Sequence, residues 1–172
     1  MQNKSFNDRL SSVLKTVEKP GRYTGGEYNR IIKDKNKVDA RIAFCFPDTY
    51  EIGMSNLGVR ILYEVLNGKE NVWCERVYAP WVDMKARMEE YNIPLYALES
   101  KDPLSEFDIV AISLQYELCY TTVLQMLRLA GFPLWAKDRG EKYPLVPCRR
   151  RSCTECPAWG RRKRLRRYQL RT

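Results

Sequence analysis

The chain has 172 residues, of which 30 are Lys or Arg and 21 are Asp or Glu, and it has a formal net charge of +9 and no histidine. That length suits one domain with a tail, and the lack of histidine excludes His-dependent catalytic triads and imidazole metal ligands. The basic excess is confined to residues 147–172, which hold ten basic side chains and one acidic side chain, whereas residues 1–146 hold 20 of each. A positive balance favours a nucleic-acid or membrane-surface partner, but here only the tail carries that balance.

The cysteines and the N-terminus indicate a cytoplasmic protein. Cys45, Cys74 and Cys119 stand singly in apolar segments, which is typical of buried free thiols in a reducing compartment. The first ten residues are polar and lack the apolar core of a signal peptide. No apolar run is long enough to span a membrane. We therefore expect a cytoplasmic protein that makes no use of a membrane.

The first part of the chain predicts a helix and a polar lead-in, then a strand and a second helix. Residues 8–17 have apolar side chains at helical spacing, and residues 1–37 are expected to precede the main domain. The run 38–46 predicts a buried strand, which a loop follows. Ser55 is the expected N-cap of a helix that ends near residue 67. The side chains expected on the inner face of this helix are Leu57, Ile61, Leu62 and Val65.

Strands also alternate with helices in the second part. The predicted strands are 71–79, a short strand around Leu95–Leu98, 107–115, and one that starts at 143–146. The predicted helices are 81–92 and 119–131. This alternation is typical of a parallel α/β sheet. We predict a Rossmann-like or flavodoxin-like, doubly wound, mostly parallel sheet over residues 38–146, incomplete at its C-terminal end.

A binding site is expected where two of these strands end. Ligands of doubly wound sheets bind outside the carboxyl ends of the strands, where the strand order reverses. In a flavodoxin-like order, the strands near 40–46 and 108–114 are neighbours at that point. The loops that follow them supply the candidate binding residues, which are Asp48, Tyr50, Glu51, Gly53, Ser55, Asn56, Gly58, Gln115, Tyr116, Glu117 and Tyr120. The glycines would allow a close backbone approach, and a helix that begins near residue 56 would offer N–H groups to an anion.

Each of these residues also has an ordinary structural interpretation, as a helix cap, a turn or a solvated charge. The sequence contains no visible nucleophile–base pair, paired catalytic carboxylates or phosphate-binding loop. We therefore predict no catalytic residue in the body of the chain.

Five stretches of the sequence together resemble one family. They are KPGRYTGGEYN (19–29), FPDTYEIGMSNLG (46–58), ERVYAPWVDM (75–84), IPLYALES (93–100) and LQYELCYTTVLQML (114–127). In this order, over about residues 5–146, they resemble the N-terminal region of a bacterial family of radical SAM proteins that begin with a cobalamin-binding-like domain.

The resemblance implies a module of a larger enzyme. In such an enzyme a barrel follows, and its CxxxCxxC loop holds a [4Fe–4S] cluster that cleaves S-adenosylmethionine reductively. This chain contains no CxxxCxxC, so we expect a cofactor- or substrate-binding module that is not catalytic alone. Its expected partner is the radical SAM barrel, in the same chain or an adjacent one. The resemblance allows cobalamin as a ligand, although the DxHxxG motif that supplies a histidine to cobalt is absent.

Residues 147–172 admit three interpretations. The family is expected to continue here with Ala-Gly-Gly-Pro-Cys, which another reading frame of an Arg- and Cys-rich segment can encode, so our first hypothesis is a frameshifted, disordered tail. Cys148, Cys153 and Cys156 match part of the spacing of plant-type [2Fe–2S] sites but lack a fourth ligand nearby. The arginines and aromatic residues would attract nucleic acid non-specifically, and the alternative function is a small basic nucleic-acid-binding protein.

Overall fold

The computed structural model describes residues 6–149, with the side chains of residues 6–147. Its helices are α1 (Phe6–Leu14), α2 (Gly21–Thr24), α3 (Tyr50–Ser55), α4 (Leu57–Asn67), α5 (Val82–Glu90) and α6 (Cys119–Leu129). Its strands are β1 (Ala40–Phe46), β2 (Val72–Tyr78), β3 (Ile109–Ser113) and β4 (Cys148–Arg149). Two short 3₁₀ helices cover Leu104–Glu106 and Ala136–Asp138.

The strands form one parallel sheet in the order β2-β1-β3-β4. In the centre, Ala43 of β1 lies opposite Glu75 of β2 on one side and Val110 of β3 on the other. The chain first moves outward from β1 to β2 and then returns across β1 to β3, so the strand order reverses between β1 and β3. The predicted α/β class is therefore confirmed, as is the predicted pairing of the first strand with the strand at 107–115.

The sheet separates two cores. Side chains alternate along β1, so Phe44 and Phe46 face the smaller core beneath α4, whereas Ala43 and Cys45 face the larger core. Apolar residues of α1, α5 and α6 cover the larger core. Burial on both faces fits the largely apolar sequences of the strands, in which the buried charges are Arg41 of β1 and Glu75 and Arg76 of β2.

Helix α4 differs from its prediction in its cap and in its buried face. Asn56 is the N-cap, because its Oδ1 accepts a hydrogen bond from the Val59 amide at 3.1 Å. Ser55 instead ends α3, a helix that forms where a loop was predicted. The buried side chains of α4 are Val59, Tyr63 and Asn67. The residues predicted for the inner face are all exposed, namely Leu57, Ile61, Leu62 and Val65.

Polar partners decide which face of α4 is buried. The Asn67 side chain donates to the Cys74 carbonyl and accepts from the Cys74 amide, both at 2.9 Å. The Tyr63 hydroxyl accepts a hydrogen bond from the Ile31 amide at 2.8 Å. Because buried polar groups must be paired, these bonds fix α4 on β2 and leave its other apolar stripe in solvent.

One predicted strand does not form, and another begins later than predicted. Leu95–Leu98 forms no strand in the described part of the chain; Tyr96 makes only an isolated antiparallel bridge with Pro103. The fourth strand begins later than predicted, after Leu145 has made a parallel bridge with Ile109. The sheet thus continues to residue 149. The predictions for the rest of the tail, including its metal and nucleic-acid interpretations, lie outside the described residues.

Two arginines are buried against the sheet, each beside a carboxylate. Arg41 Nη2 lies 2.6 Å from Glu75 Oε1, and Arg76 Nε lies 2.7 Å from Glu99 Oε1. Each guanidinium also lies over an aromatic ring, 4.4 Å from the ring centroid. Removing one partner of such a pair would leave a buried charge without compensation, so these pairs hold β1, β2 and residues 99–102 in one arrangement.

The cysteines of the body are free and buried, as predicted: Cys45, Cys74 and Cys119. Burial raises the pKa of the Cys45 and Cys74 thiols, which keeps both protonated. Among residues 6–149, no helix has the length and apolar character needed to cross a membrane.

Candidate functional site

A cleft of about 360 Å³ opens at the carboxyl edge of the sheet. Its walls come from residues 47–49 after β1, residues 79–82 after β2, and residues within 116–119 after β3, together with Lys85, Thr122 and Gln125. These segments meet because the carboxyl ends of parallel strands share one edge. The volume falls in the lower part of the range for ligand sites, about 300–1,000 Å³.

Two of the predicted binding residues meet in this cleft. Asp48 Oδ2 accepts a hydrogen bond from Tyr116 Oη at 3.3 Å, which joins the loops after β1 and β3. Asp48 Oδ1 also accepts from the Thr49 amide at 2.7 Å, and the Asp48 carbonyl accepts from the Ala79 amide at 2.9 Å. Interaction with Cys119 and the negative charge of Asp48 raise the pKa of Tyr116, so the phenol stays protonated and remains the donor.

The predicted residues of α3 do not line the cleft. Glu51 Oε1 accepts a hydrogen bond from Arg22 Nε at 2.7 Å, and this bond lowers the pKa of Glu51. The ring of Tyr50 meets the ring of Tyr78 edge-on, with the ring centroids 5.6 Å apart. Gly53 is buried, and the Tyr78 ring occupies the position that a Cβ at Gly53 would take. The close approach at Gly53 is therefore to a ring of the protein itself.

Three further predicted residues belong to the junction between α3 and α4. Ser55 Oγ donates to the Ile52 carbonyl at 2.9 Å, Asn56 caps α4, and Gly58 lies in the first turn of α4. They have structural roles away from the cleft.

The remaining predicted residues flank the cleft on its β3 side without lining it. Gln115 Nε2 donates to Ser113 Oγ at 2.6 Å. Glu117 and Tyr120 form the turn into α6, where the Tyr120 amide donates to the Glu117 carbonyl at 3.1 Å.

The sequence analysis missed the residues that the loop after β2 and the helices contribute. Trp81 stands at the start of α5, Lys85 lies one turn further, and Thr122 and Gln125 lie on α6. The side chains of Lys85, Thr122 and Gln125 have no bonding partner within residues 6–149, so they are available to a ligand. A signal was present, because Pro80 and Trp81 separate a strand from a helix, but only the loops at the predicted reversal point were considered.

A second, smaller space adjoins the cleft and shares Thr49, Ala79, Pro80 and Trp81 with it. Its volume is about 20 Å³, and its lining includes Tyr23, Tyr78, Met84 and Leu95. That is room for about one water molecule, so the space belongs to the core rather than to a ligand site.

The strand order and the cleft at the carboxyl edge define a doubly wound α/β domain that is open to a ligand or a second domain. The family model described as "Radical SAM proteins, N-terminal" matches residues 58–157, which is more than half of the chain. The chain belongs to this family of radical SAM proteins. The match includes residues 147–157, so it extends into the first part of the basic tail, whereas it leaves out residues 19–29 and 46–57. No curated protein and no solved structure matches the chain.

Proposed function

We propose that this chain is the N-terminal binding module of a radical SAM protein and that its carboxyl edge faces the catalytic barrel. The family implies S-adenosylmethionine and an iron–sulfur cluster in the full-length protein. Residues 6–149 contain no group of three or more His, Cys, Asp or Glu side chains that could hold a metal ion. The proposal assigns the cluster and its chemistry to the barrel, as the family implies, and ligand binding to this module.

One observation carries the proposal, which is that large apolar side chains are exposed in the segments that follow β1, β2 and β3. They are Ile52 of α3 after β1, Trp81 and Val82 at the start of α5 after β2, and Tyr116, Leu118 and Tyr120 at the start of α6 after β3. Leu118 is 81% exposed and Val82 is 71% exposed. Clustered exposed apolar groups mark interaction surfaces. A barrel that packs on these loops would cover the cleft and exclude water from a ligand between the two domains.

The side chains of the cleft have two roles, which are to hold the loops together and to contact the ligand. The hydrogen bond between Asp48 and Tyr116 holds two of the loops together at the mouth. Lys85, Thr122 and Gln125 supply polar groups without partners among the described residues, and these groups would orient the ligand.

Cobalamin that takes a protein imidazole on its cobalt does not fit this site. The chain has no histidine. The side chains that line the cleft offer hydroxyl groups, one amide, one carboxylate, one ammonium and one buried thiol. Binding of cobalamin without a protein imidazole ligand stays a prediction.

Association with a barrel tests the proposal. The chain is mixed with a separately produced radical SAM barrel from a member of the family, and the complex is measured by sedimentation velocity. L118E places a charge on the carboxyl edge of the sheet and is expected to weaken association with the barrel by about tenfold or more. L134E is the matched control, because Leu134 is also exposed but follows the far end of α6. Equal association of L118E and the wild type would contradict the proposal.

The nucleic-acid alternative rests on the charge of residues 147–172. Those residues lie outside the described structure beyond residue 149, so this alternative stays a prediction, as does the cytoplasmic location.

A further inference from the structure

We infer that the cleft at the carboxyl edge binds a small molecule that combines an aromatic ring with a phosphate or carboxylate group. The inference rests on the proposed function, because it names the ligand class of the same cleft. It is carried by the charges, the unused polar groups and the aromatic wall that meet there.

The charges in the cleft favour an anion beside Lys85. Lys85 is the basic side chain of the lining, and no ion pair or hydrogen bond within residues 6–149 engages its ammonium group. Asp48 is the acidic side chain of the lining, but its two oxygens already accept from Thr49 and Tyr116. These hydrogen bonds leave Asp48 charged but occupy both of its oxygens, so the ammonium group of Lys85 is the charged group of the lining that can pair with an anion. Helices α5 and α6 both begin at the cleft, and the positive ends of their dipoles add to this attraction.

Two side chains of α6 supply donors for the oxygens of that anion. Thr122 and Gln125 are three residues apart, so they lie on the same side of the helix, and both line the cleft. Neither side chain has a hydrogen-bond partner within the described residues. A hydroxyl and an amide can both donate to phosphate or carboxylate oxygens.

Trp81 forms an aromatic wall of the same cleft. Trp81 is 46% exposed, although burial of an indole ring is favourable. The guanidinium of Arg22 lies over the ring at 5.5 Å from the centroid and is itself held by Glu51 at 2.7 Å, which fixes the orientation of the indole. Leu118 adds exposed apolar surface nearby. A planar apolar group that enters the cleft would cover this surface while its anionic group reaches Lys85.

Binding of phenyl phosphate to the intact chain, measured by isothermal titration calorimetry, tests the inference. Benzoate carries the ring with a carboxylate, phenol carries the ring without an anion, and inorganic phosphate carries the anion without a ring. We expect saturable binding of phenyl phosphate or benzoate, and the tighter of the two identifies the anionic group. Phenol and inorganic phosphate are expected to bind at least about tenfold more weakly, because each lacks one of the two recognised groups.

Variants locate the binding. K85Q is expected to weaken binding of the aromatic anion by about tenfold or more, which is the loss that one charge-assisted hydrogen bond causes. K69Q is the matched control, because Lys69 is a lysine whose ammonium group likewise has no partner among the described residues, but it lies between α4 and β2, at the opposite edge of the sheet. W81A is expected to weaken binding of phenyl phosphate and to leave binding of inorganic phosphate unchanged. Circular dichroism checks that each variant folds.

K85Q distinguishes binding in the cleft from binding of the anion by the basic tail. Residues 147–172 hold ten basic side chains and attract phosphate by themselves, and K85Q leaves all of them in place. Unchanged binding by K85Q, equal binding of phenol and phenyl phosphate, or no binding of either aromatic anion by the wild type would each overturn the inference. A barrel complex that forms normally alongside any of these results would leave the proposed function intact.

Discussion

Tyr116 Oη lies 3.3 Å from Asp48 Oδ2, so one hydrogen bond joins the loop after β1 to the loop after β3 across the point where the strand order reverses. The two residues come from different parts of the sequence and meet only because β1 and β3 are neighbours in the sheet. This bond lies at the cleft, whose lining includes both residues.

Loss of this bond should loosen the mouth without unfolding the domain. Y116F removes only the donor hydroxyl, and amide hydrogen exchange of residues 115–119, measured by mass spectrometry, should become faster. Global stability should stay unchanged, because Tyr116 is half exposed. Y120F is the control, since Tyr120 is also exposed but does not line the cleft. Equal exchange rates in the two variants would show that the bond does not order the loop.

The cap of α4 can be tested by replacing each of two adjacent residues with alanine. N56A removes the acceptor for the Val59 amide and should lower the free energy of unfolding by about 1 kcal/mol. S55A should be nearly neutral, because Ser55 Oγ only donates to the Ile52 carbonyl within α3. Urea denaturation distinguishes the two. A larger loss for S55A would restore the sequence-based assignment of Ser55 as the cap.

Gly53 should tolerate no side chain. In G53A the new methyl group would meet the Tyr78 ring, which is confined by Tyr50, and overpacking of this kind costs about 1–3 kcal/mol. G21A is the control, because a Cβ at Gly21 meets nothing within 4 Å. We expect a lower melting temperature for G53A alone, measured by differential scanning calorimetry. Equal melting temperatures would mean that the Tyr78 ring has room to move.

The buried pair of Arg41 and Glu75 should be costly to break. R41M leaves the fully buried Glu75 carboxylate without its partner, and such a loss is worth about 3–5 kcal/mol. The double variant R41M/E75M should recover part of that free energy, because it removes both charges. R87M breaks an exposed pair with Glu90 of nearly the same length, 2.7 Å, and should leave the urea midpoint unchanged. A double variant no more stable than R41M would contradict this account.

Lys101 should make stability rise with pH. Burial lowers its pKa from 10.5 to about 8, while its ammonium donates to the carbonyls of Tyr23 and Leu98. Between these two values Lys101 binds more protons in the unfolded chain than in the folded chain, so its contribution to the free energy of unfolding increases with pH in that window. The buried thiols of Cys45 and Cys74, whose pKa values are raised, oppose this increase equally in the wild type and in K101M. The difference in the free energy of unfolding between the wild type and K101M should therefore grow when urea unfolding is measured from about pH 7.5 to 9.5. K69M should keep the wild-type profile, and coincident profiles of K101M and the wild type would refute the prediction.

The positions of β1 and β3 were predictable because each is a mostly apolar run, as from Ala40 to Phe46, where Arg41 is the charged residue. The orientation of α4 was not predictable, because the helix has two apolar stripes. Leu57, Ile61 and Val65 form one stripe, whereas Val59 and Tyr63 belong to the other. Hydrogen bonds from the buried face of α4 to Ile31 and to Cys74 of β2 select the second stripe, and the periodicity of α4 contains no information about these partners.

In the candidate site, too, some residues were predictable from the sequence and others were not. Asp48 and Tyr116 were found because the ends of parallel strands meet at one edge, a rule that needs only the strand order. Lys85 and Gln125 were missed because they lie on helices. Which side of a helix faces the cleft depends on which residues it buries, such as Met84 and Met126, and that choice is made by tertiary packing.

The central position of β1 also governs how the chain folds while it is being synthesised. β2 follows β1 closely along the chain, but the other neighbour of β1 is β3, at Ile109–Ser113. Pairing between segments so distant is slow, because the intervening chain must first be ordered. Until the ribosome has released residue 113, one edge of β1 lacks its partner, and unpaired strand edges invite association with other chains. Nascent chains that stall before β3 emerges are therefore the species of this protein that should depend most on chaperones.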